Sequence, residues 1–168
     1  MRLTAYRADI TMLDVDAIVN AANSRLLPGG GVSGAIHAAA GPELAAACAK
    51  IGSCATGKAC ITPGFRLRAR HVIHAVGPVW QGGKFDEPRL LKSAYRESFR
   101  LAGANGIKTL AFPAISTGIF GYPLEPATAI ALEVCHEAEA RIPTIEEVTF
   151  ACFTAETLAA YRGAGVTE

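Results

Sequence analysis

The fold is decided by the segment AIVNAAN, residues 17–23, and by the glycine-rich segment PGGGVSG, residues 28–34. The first segment begins with a short apolar run that contains two neighbouring β-branched residues, which predicts a buried β-strand. The second runs directly into a helical pattern that starts at Gly34. A strand, a glycine-rich loop and a helix in this order are typical of α/β proteins, in which such a loop lies beyond the carboxyl end of its strand.

A second glycine-rich loop, PAISTGIFGY at residues 113–122, also lies between a predicted strand and a predicted helix. Glycines allow the backbone to turn tightly and approach a ligand, and the amides of such a loop can surround an anion. Two loops of this kind facing each other would suit a diphosphate. Neither loop contains the P-loop motif or the motif GxGxxG, and a single glycine-rich turn is more often only a turn. The residues by themselves therefore indicate an anionic nucleotide or phosphate ligand.

Apolar runs and helical patterns alternate along the whole chain, which predicts strands interleaved with helices. Gly41-Pro42 divides one helical region into two helices, because proline is tolerated in the first turn of a helix but not in its interior. We expect an α/β fold, a three-layer α/β/α sandwich with a mixed, largely parallel central sheet of about six strands. The predicted strands are 3–6, 17–20, 60–62, 71–76, 109–113 and 147–153, and the predicted helices are 34–40, 42–51, 87–102, 126–141 and 156–162.

The composition excludes several classes of protein. The 168 residues are 51% hydrophobic and 18% charged, which excludes intrinsic disorder as the main description. A formal net charge of +1 is unlike the basic surface typical of proteins that bind duplex nucleic acid. A local basic stretch is interpreted as a solvated loop, and nucleic-acid binding through it is the least favoured function. Its residues are Arg66, Arg68, Arg70 and His71.

No membrane or secretory segment is predicted, because no window approaches the roughly 20 apolar residues needed to cross a bilayer and the N-terminus lacks a signal-peptide pattern. The five cysteines contain no CxxC pair and are interpreted as small core residues in a reducing compartment. Neither a metal site nor a cofactor is expected. We therefore expect a cytoplasmic protein with one domain, residues 1–168.

The chain resembles the macrodomain family, specifically its MacroD-like branch. The matching segments follow one another in family order with family spacing and cover nearly the whole chain. They are ADIT at 8–11, the segment 17–23, GGGVSGAIH at 29–37, HAVGPVW at 74–80 and the segment 112–123. The resemblance implies a three-layer α/β/α sandwich, in agreement with the prediction above, and ADP-ribose as the ligand. Many members of the family remove ADP-ribose from proteins or cleave O-acetyl-ADP-ribose, while others only bind.

The resemblance also implies roles for individual residues. Asp9 would accept a hydrogen bond from the adenine amino group, with the Ile10 amide beside it, and Phe153 would stack on adenine. Asn23 would hold the distal ribose. By themselves, Asp9 could be a helix cap, Phe153 a core residue and Asn23 a turn former. The two phosphate clamps would consist of Gly30, Gly31 and Val32 in the first loop and Ser116, Thr117, Gly118, Ile119 and Phe120 in the second, where Phe120 also covers the distal ribose.

One residue departs from the family pattern. MacroD-like hydrolases usually read GGVDGAIH, with an aspartate proposed to orient or activate the attacking water, and this chain has Ser33 at that position. A serine hydroxyl can hold a water but cannot act as a comparable base at neutral pH. We predict Asn23 and Ser33 as the catalytic residues of a hydrolase with weakened activity, and a non-catalytic ADP-ribose reader is the alternative. His37 is interpreted as structural rather than as a base.

Overall fold

A single mixed sheet of six strands forms the centre of the computed structural model, which describes residues 1–167. The strands are β1 (Arg2–Arg7), β2 (Ala17–Ala21), β3 (Ala59–Pro63), β4 (His71–Ala75), β5 (Thr109–Phe112) and β6 (Glu147–Cys152). Their order across the sheet is β1-β6-β5-β2-β4-β3. Neighbouring strands are parallel except for β3 and β4, which are antiparallel. The prediction of a mixed, largely parallel sheet is confirmed.

Five α-helices cover the two faces of the sheet within residues 1–167. They are α1 (Gly31–Ala40), α2 (Pro42–Ile51), α3 (Glu87–Ala104), α4 (Leu124–Arg141) and α5 (Ala155–Gly163). Helices α1 and α2 pack on one face, and α3, α4 and α5 pack on the other. The three-layer prediction is confirmed. No helix in this described part of the chain is long and apolar enough to cross a membrane.

Two predicted helix starts differ from the structure by two or three residues. Helix α1 begins at Gly31 and not at Gly34, because Gly31, Val32 and Ser33, which the prediction leaves in the loop, already belong to its first turn. Helix α4 begins at Leu124, two residues before the predicted start at Pro126, since a proline in the first turn does not interrupt a helix. The break at Gly41-Pro42 is confirmed, with Gly41 at a φ of 88° and the proline in the first turn of α2.

The core has two parts, one on each face of the sheet. An aromatic group packs beneath α3, α4 and α5, with ring centroids 4.2 to 6.3 Å apart, and consists of Tyr95, Phe99, Phe112, Phe150 and Tyr161. The opposite part, beneath α1 and α2, is aliphatic and includes two buried cysteines, Cys48 and Cys54. All five cysteines are free thiols, and four of them are buried, as predicted for small core residues.

A buried polar group lies within the aliphatic part of the core. The His74 side chain is 0% exposed, and its Nδ1 lies 3.2 Å from Asn20 Nδ2 while its Nε2 lies 3.0 Å from Thr62 Oγ1. The Sγ atom of Cys48 lies 3.8 Å from the same Nε2. Burial, together with the nearby charge of His37, lowers the pKa of His74 to about 4. The imidazole is therefore neutral near pH 7, and unfolding would raise its pKa.

Stability should consequently fall as the pH falls from about 6.5, the pKa of an unfolded histidine, toward 4. We expect the free energy of unfolding, measured with urea, to drop by at least about 2 kcal/mol between about pH 7.5 and pH 5 because the unfolded chain binds the additional proton. A His74→Asn variant should lose about 2 kcal/mol of this pH dependence and keep the part contributed by His37, whose pKa burial also lowers. His136→Gln, at an exposed position on α4, is the matched control and should keep it. Identical pH profiles for all three proteins would contradict this account of His74.

Candidate functional site

The two glycine-rich loops follow neighbouring strands of the sheet, β2 and β5. Strands β2 and β5 are neighbours, but their pairing ends at Ile18 and Ala111, before the carboxyl end of either strand. The loop after β2 leads to α1 on one face, and the loop after β5 leads to α4 on the opposite face. Loops that diverge in this way leave a crevice beyond the carboxyl ends of the strands, where open α/β sheets bind their ligands.

The first loop brings a helix N-terminus to this crevice. Gly30 caps α1 with extended backbone, and Gly31 has a φ of 59°, which favours glycine. A Cβ at Gly34 would overlap the carbonyl oxygen of Gly29, so the close approach of loop and helix also requires glycine. The amides of residues 31–33 belong to the first turn and have no partner within the helix. This arrangement suits an anion, which the positive end of the helix dipole also favours.

Asn23 shapes this loop from the inside. Its Oδ1 accepts hydrogen bonds from the amides of Arg25 and Leu27, both at 3.1 Å, and its Nδ2 donates to the Leu27 carbonyl at 2.9 Å. A side-chain amide carries two N–H groups. One N–H of Asn23 therefore fixes the loop, and the second is available to a ligand beside Gly29, whose ideal Cβ position is 4.0 Å from Nδ2.

The second loop is held by its own turns and by a close contact with β4. Ser116 has a φ of 67°, an uncommon conformation for a residue with a side chain, and the Tyr122 amide donates to its carbonyl at 2.9 Å. A Cβ at Gly77, just after β4, would overlap the Ser116 hydroxyl. Gly77 is therefore a site residue that sequence reasoning missed, although a glycine directly after a strand was a signal for it.

The structure brings the two predicted phosphate clamps together. The Ile119 side chain is 89% exposed, and its Cδ1 lies 3.9 Å from the ideal Cβ position of Gly30. Ile119 therefore lies directly beside the first loop. Of the second-loop residues, Thr117 donates its hydroxyl to the Ala114 carbonyl at 2.9 Å, while a Cβ at Gly118 would have no neighbour within 4 Å. The second loop therefore lies beside the N-cap of α1.

Asp9 and Phe153 follow the carboxyl ends of the neighbouring strands β1 and β6. These strands are paired, and the Ala8 amide donates to the Cys152 carbonyl, so the two residues lie at the same edge of the sheet. Asp9 caps the short 3-10 helix Ile10–Met12, where its Oδ1 accepts from the Thr11 amide at 3.0 Å and the Thr11 hydroxyl at 2.7 Å. Its Oδ2 has no partner among residues 1–167. Phe153 is 87% exposed, so the alternative that it is a core residue is wrong.

Ser33 and His37 lie one turn apart on the buried face of α1. The Ser33 side chain is 5% exposed, and within residues 1–167 neither its Oγ nor the Nδ1 of His37 has a hydrogen-bond partner. Burial lowers the pKa of His37, so its imidazole is neutral near pH 7. The first turn of α1 therefore contains a neutral, buried hydroxyl without a partner in the described residues. The described residues contain no group of three His, Cys, Asp or Glu side chains arranged to hold a metal ion.

Comparison with known proteins agrees with this geometry. The Macro domain family model matches residues 19–131. A macro domain-containing protein of Chlorobaculum tepidum is 56% identical over 95% of this chain and 93% of its own length. The O-acetyl-ADP-ribose deacetylase of Cronobacter sakazakii is 50% identical over 96% of this chain and 92% of its own length.

A solved structure shows the same fold. The Oceanobacillus iheyensis macrodomain with ADP has a TM-score of 0.89 and 38% identity, and covers 95% of this chain and 87% of its own. Three variants of the same protein have also been solved. One replaces an asparagine, one replaces a glycine seven positions later and has ADPR bound, and one replaces an aspartate ten positions after the asparagine. The family model, the relatives and the shared fold together show that the chain belongs to the macrodomain family.

Proposed function

We propose that this macrodomain binds ADP-ribose in the crevice between the two loops and hydrolyses mono-ADP-ribosyl esters on proteins or O-acetyl-ADP-ribose. The observation that carries the proposal is the meeting of the first turn of α1 with the second loop at Gly30 and Ile119. Backbone amides on both sides of a crevice suit a diphosphate. The deacetylase relative and the ADP and ADPR complexes of the Oceanobacillus iheyensis protein support this ligand class.

The ends of the crevice suit the two ends of ADP-ribose. At the β1–β6 end, the free Oδ2 of Asp9 would accept a hydrogen bond from the adenine amino group, and the exposed ring of Phe153 would stack on the base. At the other end, the free N–H of Asn23 would hold the distal ribose, with Phe120 covering it. Asp9 Oδ2 is then the side-chain acceptor for the adenine amino group.

The spacing of substituted positions in the Oceanobacillus iheyensis protein supports the assignment of the catalytic end. Its replaced glycine and aspartate lie seven and ten positions after its replaced asparagine. In this chain Gly30 and Ser33 lie seven and ten positions after Asn23. Ser33 then takes the place of that aspartate. A water between Asn23, the backbone of 31–33 and the distal ribose would be activated by a substrate phosphate oxygen and positioned by the Ser33 hydroxyl.

A second candidate function is a reader that binds ADP-ribosylated proteins without hydrolysis. The observation that favours it is Ser33, which provides no base at neutral pH. Loss of a positioned base typically lowers a rate by about 10²–10⁴-fold. Both functions share the same ligand and the same contacts, so only turnover separates them.

Adenine recognition is tested by Asp9→Asn. The asparagine keeps the Oδ1 that caps Thr11 but replaces the free oxygen with an N–H donor, which cannot accept from adenine. We expect ADP-ribose affinity, measured by calorimetry, to fall by about 10–150-fold, the equivalent of a hydrogen bond to a charged acceptor. Ribose 5-phosphate, which has no adenine, should bind the variant and the wild type equally. Equal losses for both ligands would show that Asp9 does not contact the base.

Turnover is tested by Ser33→Asp, with Ser33→Asn as the matched neutral control. A carboxylate in the first turn of α1 is favoured by the helix dipole and would polarise the water. We expect single-turnover release of ADP-ribose from a protein modified on acidic residues to rise at least about tenfold for the aspartate variant only. If the aspartate variant binds ADP-ribose but is no faster than the asparagine variant, the hydrolase proposal fails and the reader remains.

A further inference from the structure

We propose that Glu87 is a positioning residue for the second ligand loop, residues 116–121, and that it acts through the segment 79–85 and Trp80. The inference rests on the proposed function, because it takes this loop to bind the diphosphate and distal ribose. Glu87 lies outside the crevice and does not touch the ligand. Its effect on binding depends on contacts that lead from its carboxylate to the backbone of Phe120.

Glu87 holds the segment 79–85 from inside the protein. The side chain is 1% exposed at the first position of α3, and its Oε2 accepts from the amides of Gln81 and Gly83, both at 2.8 Å. Its Oε1 accepts from the Phe85 amide at 2.6 Å. Burial raises the pKa of this carboxyl, but the backbone donors outweigh that effect and hold the pKa below its usual value. The carboxylate is therefore ionised at neutral pH and gathers three backbone amides of one segment around it.

Trp80 connects this segment to the ligand loop. An ideal Cβ at Gly83, which has a φ of 88°, would lie 2.9 Å from Cη2 of the Trp80 ring, so the turn at Gly83 packs directly against the indole. The ring packs on Tyr122 with centroids 4.7 Å apart. The Trp80 amide donates to the Phe120 carbonyl at 2.8 Å. The position of the segment therefore sets where Trp80 meets the end of the ligand loop.

The ligand loop has few other connections. Its remaining backbone hydrogen bonds stay within 114–122: Thr117 to Ala114, Gly121 to Gly118 and Tyr122 to Ser116. Within the described chain, 1–167, the bond from Trp80 to Phe120 is the one backbone hydrogen bond that ties residues 116–121 to another segment. Local turns fix the shape of the loop and the packing of Ser116 on Gly77 anchors its first residue, so the bond from Trp80 is the connection that places its far end. Displacement of a binding loop by about 1 Å can cost up to about 100-fold in function, so this connection matters for the ligand.

The test is Glu87→Gln, with Glu97→Gln on the same helix as the matched control, since Glu97 is in an exposed pair with Arg100. A glutamine amide places N–H donors against backbone N–H donors and loses at least one of the three hydrogen bonds. We expect ADP-ribose to bind Glu87→Gln about tenfold more weakly, while AMP, which lacks the second phosphate and distal ribose, changes by less than about twofold. Trp80 is the single tryptophan of the chain, and its emission should shift to longer wavelength in this variant only.

Gly83→Ala is a second variant that disturbs the same segment, because its Cβ would lie 2.9 Å from the Trp80 indole. It provides the test if Glu87→Gln does not fold. It should show the same selective loss for ADP-ribose. Affinity for ADP-ribose within about twofold of the wild type in the folded variants, or equal losses for AMP and ADP-ribose, would overturn the inference. Absence of binding in the wild type would instead overturn the proposed function.

Discussion

The early end of the pairing between β2 and β5 is the constraint on which the site depends. The two strands are joined only through Ala17 with Leu110 and Ile18 with Ala111, and they then continue into loops that lead to opposite faces of the sheet. A longer ladder would close the gap between the carboxyl ends. The strands continue into helices that pack over separate parts of the core, one on each face of the sheet.

The crevice also places buried polar groups where an ordinary core would place apolar ones. Of the five buried side-chain atoms without a partner among residues 1–167, three belong to Ser33, His37 and Ser116, which lie around the two loops, and the other two belong to Asn20 and His71. Buried polar atoms of this kind are destabilising, with a typical cost of about 1–3 kcal/mol each. The three around the two loops fit a binding surface, whose groups are satisfied by a bound molecule rather than by the protein.

Much of the architecture could be predicted from periodicity and from the positions of glycine and proline, as the division at Gly41-Pro42 shows. The start of α1 could not, because a run of glycines is compatible with either a loop or a first helical turn, and tertiary packing of Gly34 on Gly29 decides between them. The positive φ of Ser116 was also invisible, since serine rarely adopts it without help from its surroundings.

Glu87 shows a second limit of sequence reasoning. An acidic residue in the first turn of a helix is most simply a partner of the helix dipole. Its actual contacts are amides of Gln81, Gly83 and Phe85, which are close in sequence but are brought around the carboxylate only by the fold of the segment. The residues predicted for the crevice came from the two glycine-rich loops and from a resemblance, whereas Glu87 gave neither kind of signal.

The most direct test of the account is an amide NMR titration of the isotope-labelled protein with ADP-ribose. The central claim is that one diphosphate contacts both loops at the same time. We expect the amides of residues 31–33 and 116–120 to shift together and to give a single dissociation constant. Shifts confined to one loop, or two loops that saturate at different ligand concentrations, would contradict the claim.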